Sequence, residues 1–315
     1  MTMLLVLSAT FLVLALLAVP VAIALGLAAL LVIAIWGMPG FILAQKMVNG
    51  IDSFPLLAVP FFILAASVMN SGGITTRVVD LFSSALGRIR GSSGVVNVGT
   101  NVFLAGISGS SVADASASGA LLIPEMRKEG YSGGFAAALT AGAAVIGPII
   151  PPSIPLVIYG VIAQVSITRL FVGAYIPGVL IAVALIAYVM NYARRHQLPA
   201  RGRPSWDVIG RQFRGSAWAL SMPLLLIVGA KGGLFTVTEL GAVLVLYAIF
   251  IGWIIHHEFS WRQFPAMLTD AGLQTANIML VVAVSSFIAY LVVVHGIPAD
   301  IQSLLHRADL SPVEF

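Results

Sequence analysis

Residues 105–120 read Ala-Gly-Ile-Ser-Gly-Ser-Ser-Val-Ala-Asp-Ala-Ser-Ala-Ser-Gly-Ala, and 13 of these 16 residues are glycine, alanine or serine. Small side chains let backbones approach closely, and their hydroxyl and carbonyl oxygens can be turned toward an ion. Taken alone, such a stretch is more typical of a helix-packing face than of a binding site. The aspartate within it, Asp114, shifts this balance toward a functional site.

A carboxylate within a membrane segment costs about 3 kcal/mol on insertion scales, so it is seldom found there without a partner or a role. Two roles are open for Asp114: it organises the local fold as a cap or an ion-pair partner, or it contacts an ion or substrate pathway. The neighbouring hydroxyls of Ser108, Ser110 and Ser111 are the expected direct ligands of an ion.

The composition predicts an all-α integral membrane protein. Of the 315 residues, 59% are apolar and 9% are charged, against roughly 25% charged in soluble domains. Apolar runs at residues 3–36, 170–192, 235–255 and 277–294 reach the roughly 18 to 20 residues that a spanning helix needs. The first run is too long for a cleaved signal peptide, so we expect it to be retained.

Charge and cysteine content exclude several functions. With no cysteine, the chain has no thiol for disulfides, thiolate metal sites or thiol catalysis. The net charge is +4, but six of the 16 basic residues lie in residues 194–214, directly after a predicted span. The positive-inside rule accounts for this cluster as a cytoplasmic loop, so nucleic acid is not an expected partner.

The basic flanks also predict how the small-residue stretch crosses the membrane. Residues 94–125 lie between two basic stretches, 77–90 and 127–128. If both flanks are cytoplasmic, this segment enters and leaves on one side as a re-entrant hairpin. Irregular backbone at membrane depth is tolerated only inside protein or along a watery cavity.

A second irregular segment interrupts the apolar residues 135–164. Within it, residues 147–155 read Gly-Pro-Ile-Ile-Pro-Pro-Ser-Ile-Pro. Four prolines in eight residues cannot form a continuous helix, and a simple kink needs one. Unwound carbonyls suit a cation such as sodium, and a half-helix N-terminus suits an anion. We therefore assign an ion or substrate pathway to Gly147, Pro148, Ile150, Pro151, Pro152 and Ser153.

No enzyme site is expected. His256 and His257 are adjacent, so they point apart on a helix, and we expect an interfacial, solvated pair rather than a metal site. The remaining acids form no paired-carboxylate or nucleophile-base pattern, and no phosphate-cradling loop indicates ATP use. No cofactor is expected beyond a coupling ion.

These motifs resemble the large membrane subunit, DctM type, of the tripartite ATP-independent periplasmic (TRAP) transporters, over nearly the whole chain. The resemblance rests on residues 54–60 (FPLLAVP), 70–75 (NSGGIT), 105–115 (AGISGSSVADA), 123–126 (IPEM), 128–131 (KEGY), 134–141 (GFAAALTA), 146–153 (IGPIIPPS) and 233–239 (GLFTVTE). Val237 stands where family members commonly have proline.

The resemblance implies a sodium-coupled importer of organic anions, carboxylates such as C4-dicarboxylates or sialic acid, that works by elevator-type alternating access in the bacterial inner membrane. It implies two partners, a small four-helix membrane subunit (DctQ type) and a periplasmic substrate-binding protein (DctP type). The sodium-site region falls on Ser108, Gly109, Ser110 and Ser111, with the break at residues 147–153 facing it.

The family architecture is an inverted repeat of the ion transporter superfamily type. Residues 1–193 correspond to the first repeat half, with the hairpin at 94–125 and the broken helix at 135–164. Residues 194–214 form the basic loop, and 215–315 begin the second half, whose own hairpin and Pro-Pro break would follow Phe315. We therefore expect either a truncated second repeat with an incomplete substrate cavity, or a second chain that supplies the rest.

Three other functions remain open at this point. A related ion-coupled anion carrier would work without a binding protein. An intramembrane enzyme would use Asp114 and its serine neighbours on a lipid-borne substrate. A structural subunit would assemble without moving substrate.

Overall fold

The computed structural model describes residues 2–200 and 206–296, and the regular structure within them is helical. The helices are α1 (Thr2–Leu16), α2 (Val21–Trp36), α3 (Gly40–Ile51), α4 (Ala58–Ser71), α5 (Ile74–Leu86), α6 (Ser92–Ser108), α7 (Ser111–Lys128), α8 (Gly133–Ala144), α9 (Ile154–Ile162), α10 (Ile167–Arg195), α11 (Trp206–Lys231), α12 (Val237–Phe250) and α13 (Phe264–Val294). A 3₁₀ turn, Phe54–Leu57, precedes α4, and a π-helical turn, Ile251–Ile255, follows α12.

Five of the described segments are long and apolar enough to cross a membrane, which confirms the prediction of an all-α membrane protein. They are Phe54–Ser71, Ile167–Arg195, Trp206–Ala230, Val237–Ile255 and Phe264–Val294. Side chains cap the starts of two of them: Ser166 accepts from the backbone N–H of Arg169 at the start of α10, and Thr236 forms a capping box with Glu239 at α12.

The apolar run at residues 3–36 is divided into two helices, each shorter than a typical span. Ala18 has a left-handed backbone with φ of 59°, and Pro20 stands at the start of α2. Proline has no backbone N–H to donate and disfavours helical geometry in the residue before it, so the helix stops here although hydrophobicity continues.

The described residues form two compact units, residues 2–53 with 273–296, and residues 54–272. The core of the first contains Met3, Ala28, Val32, Phe287 and Leu291. This division follows packing rather than an internal repeat, so the predicted repeat halves stay a prediction. The predicted basic loop at 194–214 is partly helical, because α10 continues to Arg195 and α11 begins at Trp206; Arg201 and Arg203 lie outside the described residues.

The second unit contains both irregular segments. One of its core clusters joins α6, α7, α8 and α10 through Val98, Met126, Leu139 and Val189, together with Ile150 of the Pro-rich segment. Elsewhere in this unit, α12 packs on α4 at Gly241, where an added Cβ would lie 2.8 Å from the Cβ of Phe61. The missing side chain is therefore what allows the two helices to approach.

The two adjacent histidines differ in environment, which partly corrects the expectation of a solvated pair. His257 is exposed, whereas His256 is half-buried with Nδ1 3.2 Å from the carbonyl oxygen of Gly72. The next residue, Glu258, accepts a hydrogen bond from Arg77 at 2.6 Å, and this contact lowers the pKa of Glu258. The π turn therefore ends in polar contacts with the start of α5.

The α4–α12 contact gives a test of this packing. We expect Gly241→Ala to lower the free energy of unfolding by about 1–3 kcal/mol, because the new methyl group must displace Phe61. The measurement is the thermal unfolding midpoint of the purified protein in detergent. Gly173→Ala is the matched control, because an added Cβ there meets no atom within 4 Å. Equal midpoints for the two variants would contradict the packing.

Candidate functional site

The small-residue stretch forms a hairpin of two helices with a two-residue tip. Helix α6 ends at Ser108, and Gly109 adopts a left-handed conformation with φ of 60° that suits glycine. Ser110 then caps α7, its hydroxyl oxygen accepting from the backbone N–H of Ala113 at 3.4 Å. Turn and cap together reverse the chain within the predicted segment 94–125, whose relation to the membrane stays a prediction.

Asp114 lies in the first turn of α7 and is 1% exposed. Its Oδ1 accepts a hydrogen bond from the hydroxyl of Ser108 at 2.5 Å, and Ser108 Oγ in turn accepts from the backbone N–H of Ser110 at 3.2 Å. Its Oδ2 is buried and has no hydrogen-bond partner among the described residues. Oδ1 therefore takes part in the hydrogen bonds of the hairpin tip, whereas Oδ2 is left without a hydrogen-bond donor in the described part of the chain.

The Pro-rich segment separates α8 from α9. Helix α8 ends at Ala144, irregular turns follow, and α9 begins at Ile154. Ser153 caps α9 by accepting from the backbone N–H of Leu156 at 3.3 Å, while its hydroxyl donates to the carbonyl of Pro148. This serine is fully buried, so its two hydrogen bonds fix the break from within.

The structure brings the hairpin tip and the helix break together. A Cβ added to Gly109 would collide with the carbonyl oxygen of Pro152 and approach Ser153 Cα at 3.3 Å. A Cβ added to Gly147 would lie 2.6 Å from Asp114 Oδ2 and 3.3 Å from the backbone nitrogen of Ser111. Both glycines therefore lie at close approaches that a side chain would block.

Some of the predicted site residues turn away from this contact. The side chain of Ile150 lies in the hydrophobic core, against Gly178 of α10. Pro151 and Pro152 line a cavity of about 290 Å³ with mostly apolar residues of α10 and α11, although the carbonyl oxygen of Pro152 lies at the contact with Gly109. Ser111 contributes its backbone nitrogen near Gly147, while its side chain is half-buried.

A buried polar network that we did not predict supports the hairpin. Asn97 donates to Thr140 Oγ1 of α8 at 2.7 Å, and Asn101 donates to the side-chain oxygen of Asn97 at 3.0 Å. Asn101 and Ser118 are also hydrogen-bonded, and Ser118 Oγ donates to the carbonyl of Asp114 at 2.7 Å. The chain of contacts therefore ties α6, α7 and α8 together beneath Asp114.

A second unpredicted contact joins the open end of the hairpin. Glu129, just after α7, accepts from Ser92 Oγ at 3.0 Å and from the backbone N–H of Ser93 at 2.8 Å, at the start of α6. The Ser93 hydroxyl donates to the same carboxylate. An acid at a helix N-terminus is favourable, so this contact holds the two ends of the hairpin together.

Within residues 2–200 and 206–296, no three histidine or acidic side chains are placed to hold a metal ion. The fold and the site instead define a multi-span helical membrane protein whose buried polar site lies between a helical hairpin and an interrupted helix. The family model described as the DctM component of the tripartite ATP-independent periplasmic transporter matches residues 8–315, so the chain belongs to this family. The resemblance inferred from the sequence motifs is confirmed.

Three curated relatives carry matching names. The chain is 40% identical over 271 residues to the 2,3-diketo-L-gulonate TRAP transporter large permease protein of Escherichia coli, covering 86% of this chain and 64% of the relative. It is 39% identical over 239 residues to the sialic acid TRAP transporter large permease protein of Vibrio cholerae, covering 76% and 56%.

The third relative is the ectoine/5-hydroxyectoine TRAP transporter large permease protein of Ruegeria pomeroyi, 33% identical over 271 residues, covering 86% of this chain and 63% of the relative. The chain thus spans less than two thirds of the length of each of these three relatives. All three are named as transporter permeases rather than enzymes, in keeping with the expectation drawn from the sequence.

The polar network beneath Asp114 gives a testable prediction. Asn101→Ala leaves buried polar groups of Asn97 and Ser118 with fewer partners, so we expect a loss of about 1–3 kcal/mol in the free energy of unfolding. The measurement is thermal unfolding in detergent. The control is Ser116→Ala, an exposed α7 serine that bonds only to Val112 of its own helix. Wild-type stability of Asn101→Ala would contradict a supporting role.

Proposed function

We propose that this chain is the large membrane subunit of a sodium-coupled secondary transporter that imports organic anions. The family membership and the names of the relatives support a permease. Carboxylates are the proposed substrates, and relatives named for 2,3-diketo-L-gulonate and sialic acid support this class. The proposed location is the bacterial inner membrane, and the basic residues after α10 are proposed to face the cytoplasm.

The unpartnered Oδ2 of Asp114 is the observation that carries the sodium assignment. A buried carboxylate oxygen with no donor is costly, and a bound cation removes that cost. The proposed ligands are this oxygen, the second Asp114 oxygen, the Ser108 hydroxyl and carbonyl oxygens of the break at residues 147–153. A hard cation prefers such ligands, so the donor set fits sodium.

The two helix starts beside the site support an anionic substrate. Helix α7 begins after Ser110 and helix α9 after Ser153, and Gly109 lies against the backbone at Pro152–Ser153. Each helix N-terminus carries a partial positive charge that favours an anion. In the α7 start this charge also stabilises Asp114, which explains how the carboxylate is tolerated there. Sodium and a carboxylate substrate would therefore bind at adjacent positions where the hairpin tip meets the helix break.

The transport step is proposed to be elevator-type alternating access. The close contact between the hairpin tip and the break, with the polar network beneath it, favours movement of α6 to α9 as one body. Sodium at Asp114 would strengthen that contact and couple the ion to substrate occupancy. The substrate cavity would be completed by a second repeat half, as in inverted-repeat transporters.

Two partner proteins belong to the proposal. A small four-helix membrane subunit of DctQ type would hold the scaffold, and a periplasmic binding protein of DctP type would deliver the substrate. The family description, a tripartite periplasmic transporter, supports both partners. A requirement for the binding protein in uptake would separate this function from that of a carrier working alone.

The functional test is uptake of a labelled carboxylate into liposomes that hold the complete permease, its small membrane subunit and a cognate binding protein. We expect uptake to need an inward sodium gradient. We expect Asp114→Asn and Ser108→Ala to lower sodium-dependent uptake at least tenfold, because each removes an oxygen that the ion would use. Gly147→Val should act similarly by filling the space beside Asp114 Oδ2.

The matched control is Ser116→Ala, a serine of the same helix that faces away from the site. Monodispersity in detergent and membrane insertion are measured for every variant, so that misfolding is recognised. Unchanged sodium dependence in well-folded Asp114→Asn would remove the ion site from Asp114. Wild-type uptake at the same rate with and without an inward sodium gradient would contradict the proposed coupling of sodium to substrate transport.

A further inference from the structure

A second cavity, remote from the hairpin tip, lies at the end of α10 that carries the basic residues. It has a volume of about 250 Å³ and is lined by Ile89, Arg90, Met190 and Arg194. Two guanidinium groups and two apolar side chains thus share one small space. No step of the proposed transport mechanism uses it.

The backbone around this cavity is held in place by close packing. Gly91 follows Arg90, and an added Cβ at Gly91 would lie 2.5 Å from the Cβ of Ala193, the residue before Arg194. The backbone N–H of Gly91 donates to the carbonyl of Pro199 at 3.1 Å. The chain segments that bear the two arginines are therefore fixed side by side.

A second glycine continues the same contact one turn into α6. A Cβ added to Gly94 would lie 2.7 Å from Val189 of α10 and 2.6 Å from the hydroxyl of Tyr131. That hydroxyl donates to the carbonyl of Gly91 at 2.8 Å. The close packing of α6 against α10 therefore fixes the backbone positions of the two arginines relative to each other.

Neither guanidinium is neutralised by a carboxylate among the described residues. The ion pairs found there join Arg77 with Glu258 and Lys128 with Glu125. The acid at the hairpin base, Glu129, accepts hydrogen bonds from Ser92 and Ser93. Arg90 and Arg194 are both exposed, so their charges are available to an external anion.

The position of the cavity indicates a membrane interface. Arg194 and Arg195 end α10, a segment long and apolar enough to span a bilayer. Tyr188 and Tyr192 lie within the two turns before Arg194, and their rings stack on Phe135 with centroids 6.0 and 3.7 Å away, respectively. Aromatic rings followed by basic residues are typical of the level at which lipid headgroups lie.

We propose that this cavity binds the phosphate of an anionic phospholipid headgroup. Guanidinium groups pair with phosphate oxygens through two parallel hydrogen bonds, and two such groups on adjacent segments can hold one phosphate. Ile89 and Met190 contact the apolar part of the lipid, which a free phosphate ion lacks. Basic pockets between spanning helices are a general mode of anionic lipid binding.

The test is native mass spectrometry of the purified full chain titrated separately with phosphatidylglycerol and phosphatidylcholine of the same acyl chains. We expect one phosphatidylglycerol to bind at least tenfold more tightly than phosphatidylcholine. The double variant R90Q/R194Q should weaken phosphatidylglycerol binding roughly 30-fold, since each charge near the membrane surface contributes a factor of about five. Phosphatidylcholine binding should change little.

Arg195→Gln and Arg169→Gln are the matched controls, since each removes one charge from α10 outside the cavity lining. We expect both to keep wild-type lipid preference. A double variant that still prefers phosphatidylglycerol tenfold, or an equal loss in Arg195→Gln, would overturn the site. Displacement of the lipid by millimolar inorganic phosphate would assign the cavity to a soluble anion instead. Circular dichroism and thermal unfolding of each variant exclude loss of fold as the cause.

Discussion

The contact between the hairpin tip and the interrupted helix is the constraint on which the site depends. Gly109 lies directly against the backbone of Pro152, and Gly147 lies against the carboxylate of Asp114. A single methyl group at either glycine would occupy space that backbone or carboxylate atoms now fill. Each segment interrupts its helix and leaves backbone polar groups without helical partners, and burial within protein is one of the surroundings in which such groups are tolerated.

The polar groups around this contact divide into satisfied and unsatisfied ones. Asn97, Asn101, Ser118 and Thr140 complete one another's hydrogen bonds across three helices. Asp114 shares in this arrangement through its carbonyl and through Oδ1, which Ser108 occupies. Its Oδ2 has no hydrogen-bond partner among the described residues. In the proposed function, this oxygen is the position offered to a cation.

Much of this arrangement could be predicted from the sequence. Length and apolarity predict the spans, four prolines in residues 148–155 predict the interruption, and the glycine and serine content of residues 105–120 predicts a close turn. The resemblance suggested that the two segments face each other. Sequence could not decide between the two roles of Asp114, because the hydrogen bond from Ser108 to Oδ1 and the lack of a partner at Oδ2 within the described ranges depend on the fold around the side chain.

The supporting contacts were harder to anticipate. Asn97 and Asn101 are four residues apart, a spacing that places them on one helix face, but Thr140, the partner of Asn97, is 43 residues further along the chain. Glu129 gave no local signal of its contact with Ser92 and Ser93. The apolar run at 3–36 was the opposite case, because its continuous hydrophobicity gave no sign of the break at Ala18 and Pro20 that divides it into two helices.

The most direct test of the central claim is equilibrium binding of radiolabelled sodium to the purified, complete permease, with lithium and potassium as competitors. We expect saturable sodium binding whose affinity falls at least tenfold in Asp114→Asn and stays at the wild-type level in Ser116→Ala. Sodium binding of wild-type affinity in a well-folded Asp114→Asn protein would contradict the assignment of the unpartnered Asp114 oxygen to the coupling ion.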